Sequence, residues 1–210
     1  ASGSWLSEVV LENSTALQVG VLTGPAIASE LLNSRAGALV AASTYDAVSY
    51  KAQKALHSRL CRVYTSTDLV GVELAGAMVD VLTILLGVAD SLRQGTGAHG
   101  IIVSRGLAEA VRLGTALGAR EHTFLGLAGV GDIFATGMHP QNPKYLAGKR
   151  LGLNNGLEER LLQKLVAVQQ LAQRHNVELP LTSATIAMAK GVMEPALAID
   201  MLMRRKPTQE

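Results

Sequence analysis

Cysteine is almost missing from this chain: Cys61 stands alone among 210 residues. One thiol excludes an internal disulfide and any cysteine-rich zinc site, and it reads as a small buried residue in a strand. Aromatic residues are scarce as well, at 3%, so the core must be built from Leu, Val, Ile and Ala, which suits close-packed helices. No aromatic platform lies beside a basic groove of the kind that single-stranded nucleic acid needs. Charge of one sign is missing too: the formal balance is +2, and the basic residues are scattered apart from Arg204-Arg205-Lys206 in a polar tail over 204–210. The five histidines, at 57, 99, 122, 139 and 175, share no metal-ligand spacing, so no metal site is expected. No signal peptide opens the chain. It begins on Ala1 rather than Met, which reads as an excerpt or a processed product, and secretion is not expected.

What the chain does have is apolar residues, 48% against 17% charged, enough for a real core. They concentrate in Thr67–Leu92, TDLVGVELAGAMVDVLTILLGVADSL. A helix apolar all round has no solvent face and must be buried on every side. Gly71, Ala75, Gly76, Ala77 and Gly87 keep it thin, and two carboxylates, Glu73 and Asp80, interrupt it. A buried carboxylate is costly without a partner, so the helix is a structural spine, a wall of an active site, or both. For Glu73 the expected role is structural, through a buried hydrogen bond or a partner such as Arg105 or Arg112. Residues 69–89 have the length of a membrane span. Asp80 would then sit at the bilayer centre, at a cost of about 3 kcal/mol, so no membrane span is expected.

Upstream of the spine, short helices alternate with short strands. Helices are predicted at Trp5–Glu12, Ala26–Leu32 and Tyr45–Leu56, and strands at Leu17–Leu22, Gly37–Ala42 and Cys61–Tyr64. That alternation indicates βαβ units and a largely parallel sheet. Downstream, strand signals vanish. Helical patterns follow at Ala98–Leu117, Thr123–Leu127, Asp132–Thr136, Lys144–Leu151, Gly156–Gln173, Thr182–Lys190 and Glu194–Met203, with an irregular loop at Gly137–Pro143. The fold class is therefore mixed: residues 1–66 are the end of an incomplete α/β domain, and 67–210 form an all-α domain. Gly95-Thr96-Gly97-Ala98-His99-Gly100 satisfies G-x-G-x-x-G, but it lies between two helices and reads as a turn, not a nucleotide loop. Thr23-Gly24-Pro25-Ala26-Ile27-Ala28 does follow a strand and precede a helix, where backbone can approach a ligand.

Four stretches, in order, carry a resemblance to a known family: Leu22–Glu30 (LTGPAIASE); Val63-Tyr64-Thr65 leading into Gly71–Ala77 (GVELAGA); Ser104–Glu109 (SRGLAE) with Arg112-Leu113-Gly114 and Ala116–Ala119 (ALGA); and Phe124–Asp132 (FLGLAGVGD). Val177-Glu178-Leu179-Pro180 adds a weaker fifth. Together they resemble the NAD(P)-dependent glycerol-3-phosphate dehydrogenases of the bacterial and plastid type. The resemblance implies a Rossmann-like α/β cofactor domain followed by an all-α domain of the 6-phosphogluconate-dehydrogenase kind, with the site between them. It implies hydride transfer between nicotinamide and C2 of glycerol 3-phosphate or dihydroxyacetone phosphate, with a lysine on the spine helix as general acid and base.

Carried over residue by residue, the resemblance assigns Asp132, Thr136 and Asn142 to the substrate and Gly24, Ala26, Ala28 and Gln141 to the cofactor, NAD(P). It also exposes losses. The lysine position is Val79, whose isopropyl is expected to point into the cleft. The asparagine after it is Asp80, a negative charge near an anionic substrate. Gln141 stands where an arginine belongs, and the Val-Val-Glu-Gly stretch has no match at Leu157–Leu162. Losing a positioned general acid costs about 10²- to 10⁴-fold in rate. The expectation is a catalytically impaired member kept as a structural or assembly subunit, in a larger assembly or a homo-oligomer, within the cytoplasm or an organellar stroma or matrix. The alternative is the C-terminal portion of a working dehydrogenase, with Lys144, Lys149 or His139 standing in for the missing lysine.

Overall fold

The computed structural model describes residues 5–203; the tail with Arg204-Arg205-Lys206 lies outside them. The chain enters through α1 (Leu6–Glu12), then β1 (Val21–Thr23), α2 (Ala28–Leu32), β2 (Gly37–Ala42), α3 (Asp46–Leu56) and β3 (Cys61–Ser66). Helices alone follow among the described residues: α4 (Leu69–Ser91), α5 (Thr96–Ala116), α6 (Glu121–Leu125), a π-helical turn (Leu127–Gly131), α7 (Asp132–Thr136), α8 (Pro143–Gly152), α9 (Glu159–Arg174), α10 (Pro180–Ala189) and α11 (Pro195–Met203). This is the mixed class expected, a small sheet leading into helices.

The sheet order is β1-β2-β3. β2 and β3 are parallel, from Gly37 opposite Cys61 to Ala42 opposite Ser66. β1 is antiparallel to β2, with Val21 opposite Ala42 and Thr23 opposite Val40, which corrects the largely parallel expectation. The five-residue α2 is too short to carry the chain back along the sheet, whereas a reversal needs no crossover. Gly24 makes that reversal at φ +131°, where a Cβ would lie 3.0 Å from the Ala38 carbonyl. β1 also starts later than the predicted Leu17–Leu22. Leu17 is exposed, and the Val19 carbonyl accepts from the Ser43 hydroxyl at 2.6 Å instead of from a strand partner.

α4 is the spine. Asp68 caps it, accepting from the Gly71 N–H at 3.0 Å, and also accepts from the Arg120 N–H and the Thr123 hydroxyl, tying α6 to the start of the helix. From Val81 to Ala89 every residue is buried. The helix is long and apolar enough to cross a membrane, but 72% of its most apolar window is buried by the rest of the chain, as in the core helix of a globular protein. Its nearest neighbour is α8. A Cβ on Gly148 would lie 2.0 Å from the Ile84 carbonyl oxygen, and one on Gly87 would lie 2.2 Å from the Tyr145 carbonyl oxygen, so glycines on both helices set the backbone separation. The last turn of α4 is pinned to α8 by Asp90, whose carboxylate meets Lys149 Nζ at 2.8 Å. That ion pair, with a Tyr145 hydrogen bond, holds the Asp90 carboxyl below its ordinary pKa.

α10 is started from a distance. Leu179 offers no side-chain cap. Glu109, buried in α5, instead accepts from the Leu181 N–H at 2.6 Å and from the N–H and hydroxyl of Thr182. Burial raises the Glu109 pKa, against the lowering pull of those backbone donors.

Gly148→Ala is expected to destabilise the fold by about 3 kcal/mol, because two backbones must separate. Gly100→Ala, in α5 where an added Cβ meets nothing within 4 Å, is expected to stabilise by about 1 kcal/mol. Urea midpoints of the two variants should move in opposite directions.

Candidate functional site

A cavity of about 430 Å³ opens where β1 meets the middle of α4, closed on its other sides by α1, α8 and α9. α4 presents Glu73, Gly76, Ala77 and Asp80 to it, positions spaced to share one helix face. Glu73 is held by α1: the Ser7 N–H and hydroxyl donate to its two carboxylate oxygens at 3.0 and 2.6 Å. Of the two expectations for Glu73, the structure shows the hydrogen bond, supplied by Ser7, and not an arginine; Arg112 donates to the Glu178 carbonyl at 3.3 Å. Trp5 and Leu6, at the start of α1, form the apolar rim.

The polar floor is built from four helices and one strand. Asp132, first residue of α7 and 9% exposed, accepts from the Thr23 hydroxyl at 3.2 Å and the Thr136 hydroxyl at 3.0 Å. Gly76 leaves room for that threonine: a Cβ there would sit 3.2 Å from Thr23 Oγ1. Burial raises the Asp132 pKa from its ordinary value. The two hydroxyl donors oppose the shift, the charge of Asp80 adds to it, and that of Lys144 subtracts. Asp80, 6% exposed, carries two ammonium groups. Lys144 Nζ from α8 donates to one carboxylate oxygen and Lys164 Nζ from α9 to the other. The lysines keep 40% and 46% of their side chains exposed, so their free N–H bonds face water.

Of the residues assigned from the sequence, Asp132 lines the cavity and Thr136 holds it in place. Asn142 is the N-cap of α8, accepting from the Lys144 N–H at 2.9 Å and donating to the Thr136 carbonyl at 2.8 Å. It positions the Lys144 turn without lining the cavity. Gly24, Ala26 and Ala28 form the reversal after β1 and the start of α2, outside the cavity lining, and Gln141 is exposed on the loop before α8. Val79 is 4% exposed within the core cluster of Leu82, Ile133 and Leu165. Its isopropyl packs into the core, contrary to the expectation that it points into the cleft, because the cavity face of α4 runs through 76, 77 and 80. The proximity of Asp80 to an anion site is also recast, since the carboxylate is met by two cations. Lys164 was not singled out from the sequence, and Thr23 was named there only as the first residue of the turn after β1. Lys164 sits on a polar stripe of an amphipathic helix, which reads as solvent-facing. Of the possible stand-ins, Lys144 reaches the cavity, Lys149 is engaged by Asp90, and His139 Nδ1 accepts from the Gln141 N–H at 3.3 Å.

The cluster of Asp80, Asp132, Lys144 and Lys164 lies where the small sheet meets the helical part of the chain. Residues 68–200 match the family model described as the NAD-dependent glycerol-3-phosphate dehydrogenase C-terminus, and the chain belongs to that family. It is 41% identical to a glycerol-3-phosphate dehydrogenase [NAD(P)+] of Methylibium petroleiphilum, covering 100% of this chain and 66% of that protein. It is 38% identical to one of Leptothrix cholodnii, covering 97% and 63%. Among solved structures, the glycerol-3-phosphate dehydrogenase of Coxiella burnetii superposes with a TM-score of 0.88 at 30% identity, over 97% of this chain and 65% of that one. The Plasmodium falciparum enzyme shares the fold, with a TM-score of 0.83 at 16% identity. The chain thus spans a little under two thirds of the length of these relatives.

The family is NAD(P)-dependent. The cofactor positions assigned from the sequence, Gly24, Ala26 and Ala28, lie in the turn after β1 and at the start of α2, where the Ala26 N–H donates to the Gly24 carbonyl at 2.8 Å and the Ala38 N–H to the Pro25 carbonyl at 3.1 Å.

Asp132→Asn removes a group that resists ionisation in the fold. A carboxyl with a raised folded pKa stabilises most when protonated, and that contribution is lost as pH rises through the folded value. Asp132→Asn is therefore expected to gain stability over the parent on going from acid to neutral pH, and to lose that advantage on acidification. Urea midpoints of both proteins across the range would show it.

Proposed function

We propose that this chain forms the substrate-holding part of a working NAD(P)-dependent glycerol-3-phosphate dehydrogenase, interconverting sn-glycerol 3-phosphate and dihydroxyacetone phosphate. The observation that carries the reading is the ammonium group of Lys144, set in the cavity beside Asp132 although the spine-helix lysine is absent. The nucleotide supplies the hydride chemistry. This chain's share is to bind the three-carbon phosphate, exclude water and move a proton at its C2 oxygen. Lys144 takes the proton role: it is aimed by Asp80, and its charge acts on Asp132. Thr23, Thr136 and Asp132 form a hydroxyl–carboxyl network suited to a small polyol.

A second reading is favoured by Val79 in the core and Gln141 in solvent: a family fold kept as a structural or assembly subunit. The two part on turnover by the full-length protein with dihydroxyacetone phosphate and NADH or NADPH. Clear turnover, reduced about 10²- to 10⁴-fold in kcat by Lys144→Met, is expected. No turnover in the parent protein would leave the scaffold reading standing.

A further inference from the structure

α1 is the least anchored wall of the cavity. Ser7 is the one residue of this seven-residue helix that is buried, and Leu6, Val10 and Leu11 are exposed, Leu6 at 71%. The stretch from Leu11 to Gln18, which joins α1 to β1, is exposed throughout. So short a helix does not hold its shape in water by itself, and an element with little buried apolar surface opens at lower cost than the core. Its seat on α4 is polar: the Ser7 N–H and hydroxyl donate to the two oxygens of Glu73, and hydrogen bonds to a carboxylate are the strong kind. Glu73 lies on the cavity face of α4, two turns before Asp80. Trp5, half-buried against the cluster of Val72 and Leu74, is the N-cap of α1, and its N–H is taken by Glu8 at 3.1 Å, so the indole moves with the helix.

We propose that Ser7 and Glu73 form a latch that seats α1 as the movable wall of the cavity. They are positioning residues and take no part in the acid–base chemistry of Asp132 and Lys144. With the latch made, Trp5 and Leu6 wall the cavity together with Val168 and Leu171 of α9 and keep water from it. With the latch broken, α1 leaves α4, takes the indole with it, and the cavity opens beside Glu73. Ligand enters and leaves by that route. The inference rests on the dehydrogenase reading for the identity of the ligand, but not for the latch itself.

Trp5 is the only tryptophan of the chain, so its fluorescence reports the wall; in the full-length protein its share of the signal is the part lost in Trp5→Phe. Glu73→Leu, which keeps the bulk and removes both acceptors, is expected to raise acrylamide quenching of Trp5 by about twofold or more. Ser7→Ala raises it less, Ser7→Thr restores the parent value, and Ser7→Ala adds nothing in the Glu73→Leu background. The urea midpoint, followed by circular dichroism, is expected to stay at the parent's value, because α1 is not part of the helical core. With dihydroxyacetone phosphate and a nicotinamide nucleotide, KM is expected to rise about fivefold while kcat stays within about twofold; a purely structural pair would lower kcat with the folded fraction and leave KM alone. Unchanged quenching in Glu73→Leu, quenching that rises only with a fall in the urea midpoint, or an unmoved KM in a protein that does turn over overturns the proposal. Raised quenching at an unchanged midpoint, in a protein without turnover, supports the latch and defeats only the dehydrogenase reading.

Discussion

The backbone contact between α4 and α8 is the constraint on which the rest of the molecule depends. At Gly87 and Gly148 the two backbones meet directly, so the separation there is fixed by main-chain atoms and cannot relax through a rotamer change. That fixed separation decides where the first turn of α8 lies. Asn142 caps that turn and ties it back to Thr136, so Lys144 arrives at Asp80 from a direction set by packing. α4 also positions Gly76 under Thr23, whose hydroxyl joins the sheet edge to Asp132. The geometry of the cavity is thus a product of core packing.

Electrostatics then explains why the cavity stays polar. A carboxylate as buried as Asp80 is costly alone and tolerable with a hydrogen-bonded cation. Here it has two, drawn from helices that are 64 and 84 residues downstream. Asp132 shows the opposite solution: it has hydroxyl donors rather than a cation, and burial raises its pKa. The two acids of this cavity are thus held differently, one by ammonium groups and one by hydroxyls.

Much of this was legible in the linear order of residues. A run as apolar as 69–91 admits no solvent face, and the motif ending in Gly131-Asp132 placed one acid of the cavity. Strand direction was not legible, because alternation and β-branching carry no sign; only the short α2 and the Gly24 turn decide it. Val79 and Asp80 are adjacent in sequence but 100° apart on a helix, so a motif position alone could not say which faces the cleft. The Glu73–Ser7 and Asp80–Lys164 pairs join residues 66 and 84 apart, and no local pattern records such pairs. Lys164 was hidden because a lysine on the polar stripe of an amphipathic helix looks like any other.

Glu109 carries a further meaning for how the molecule is assembled. Its partners, Leu181 and Thr182, lie 72 and 73 residues later, and they are the opening residues of a helix with no cap of its own. Their amides take the place of water around that buried acid, so one carboxylate on α5 serves as the acceptor that the opening turn of α10 lacks in its own sequence.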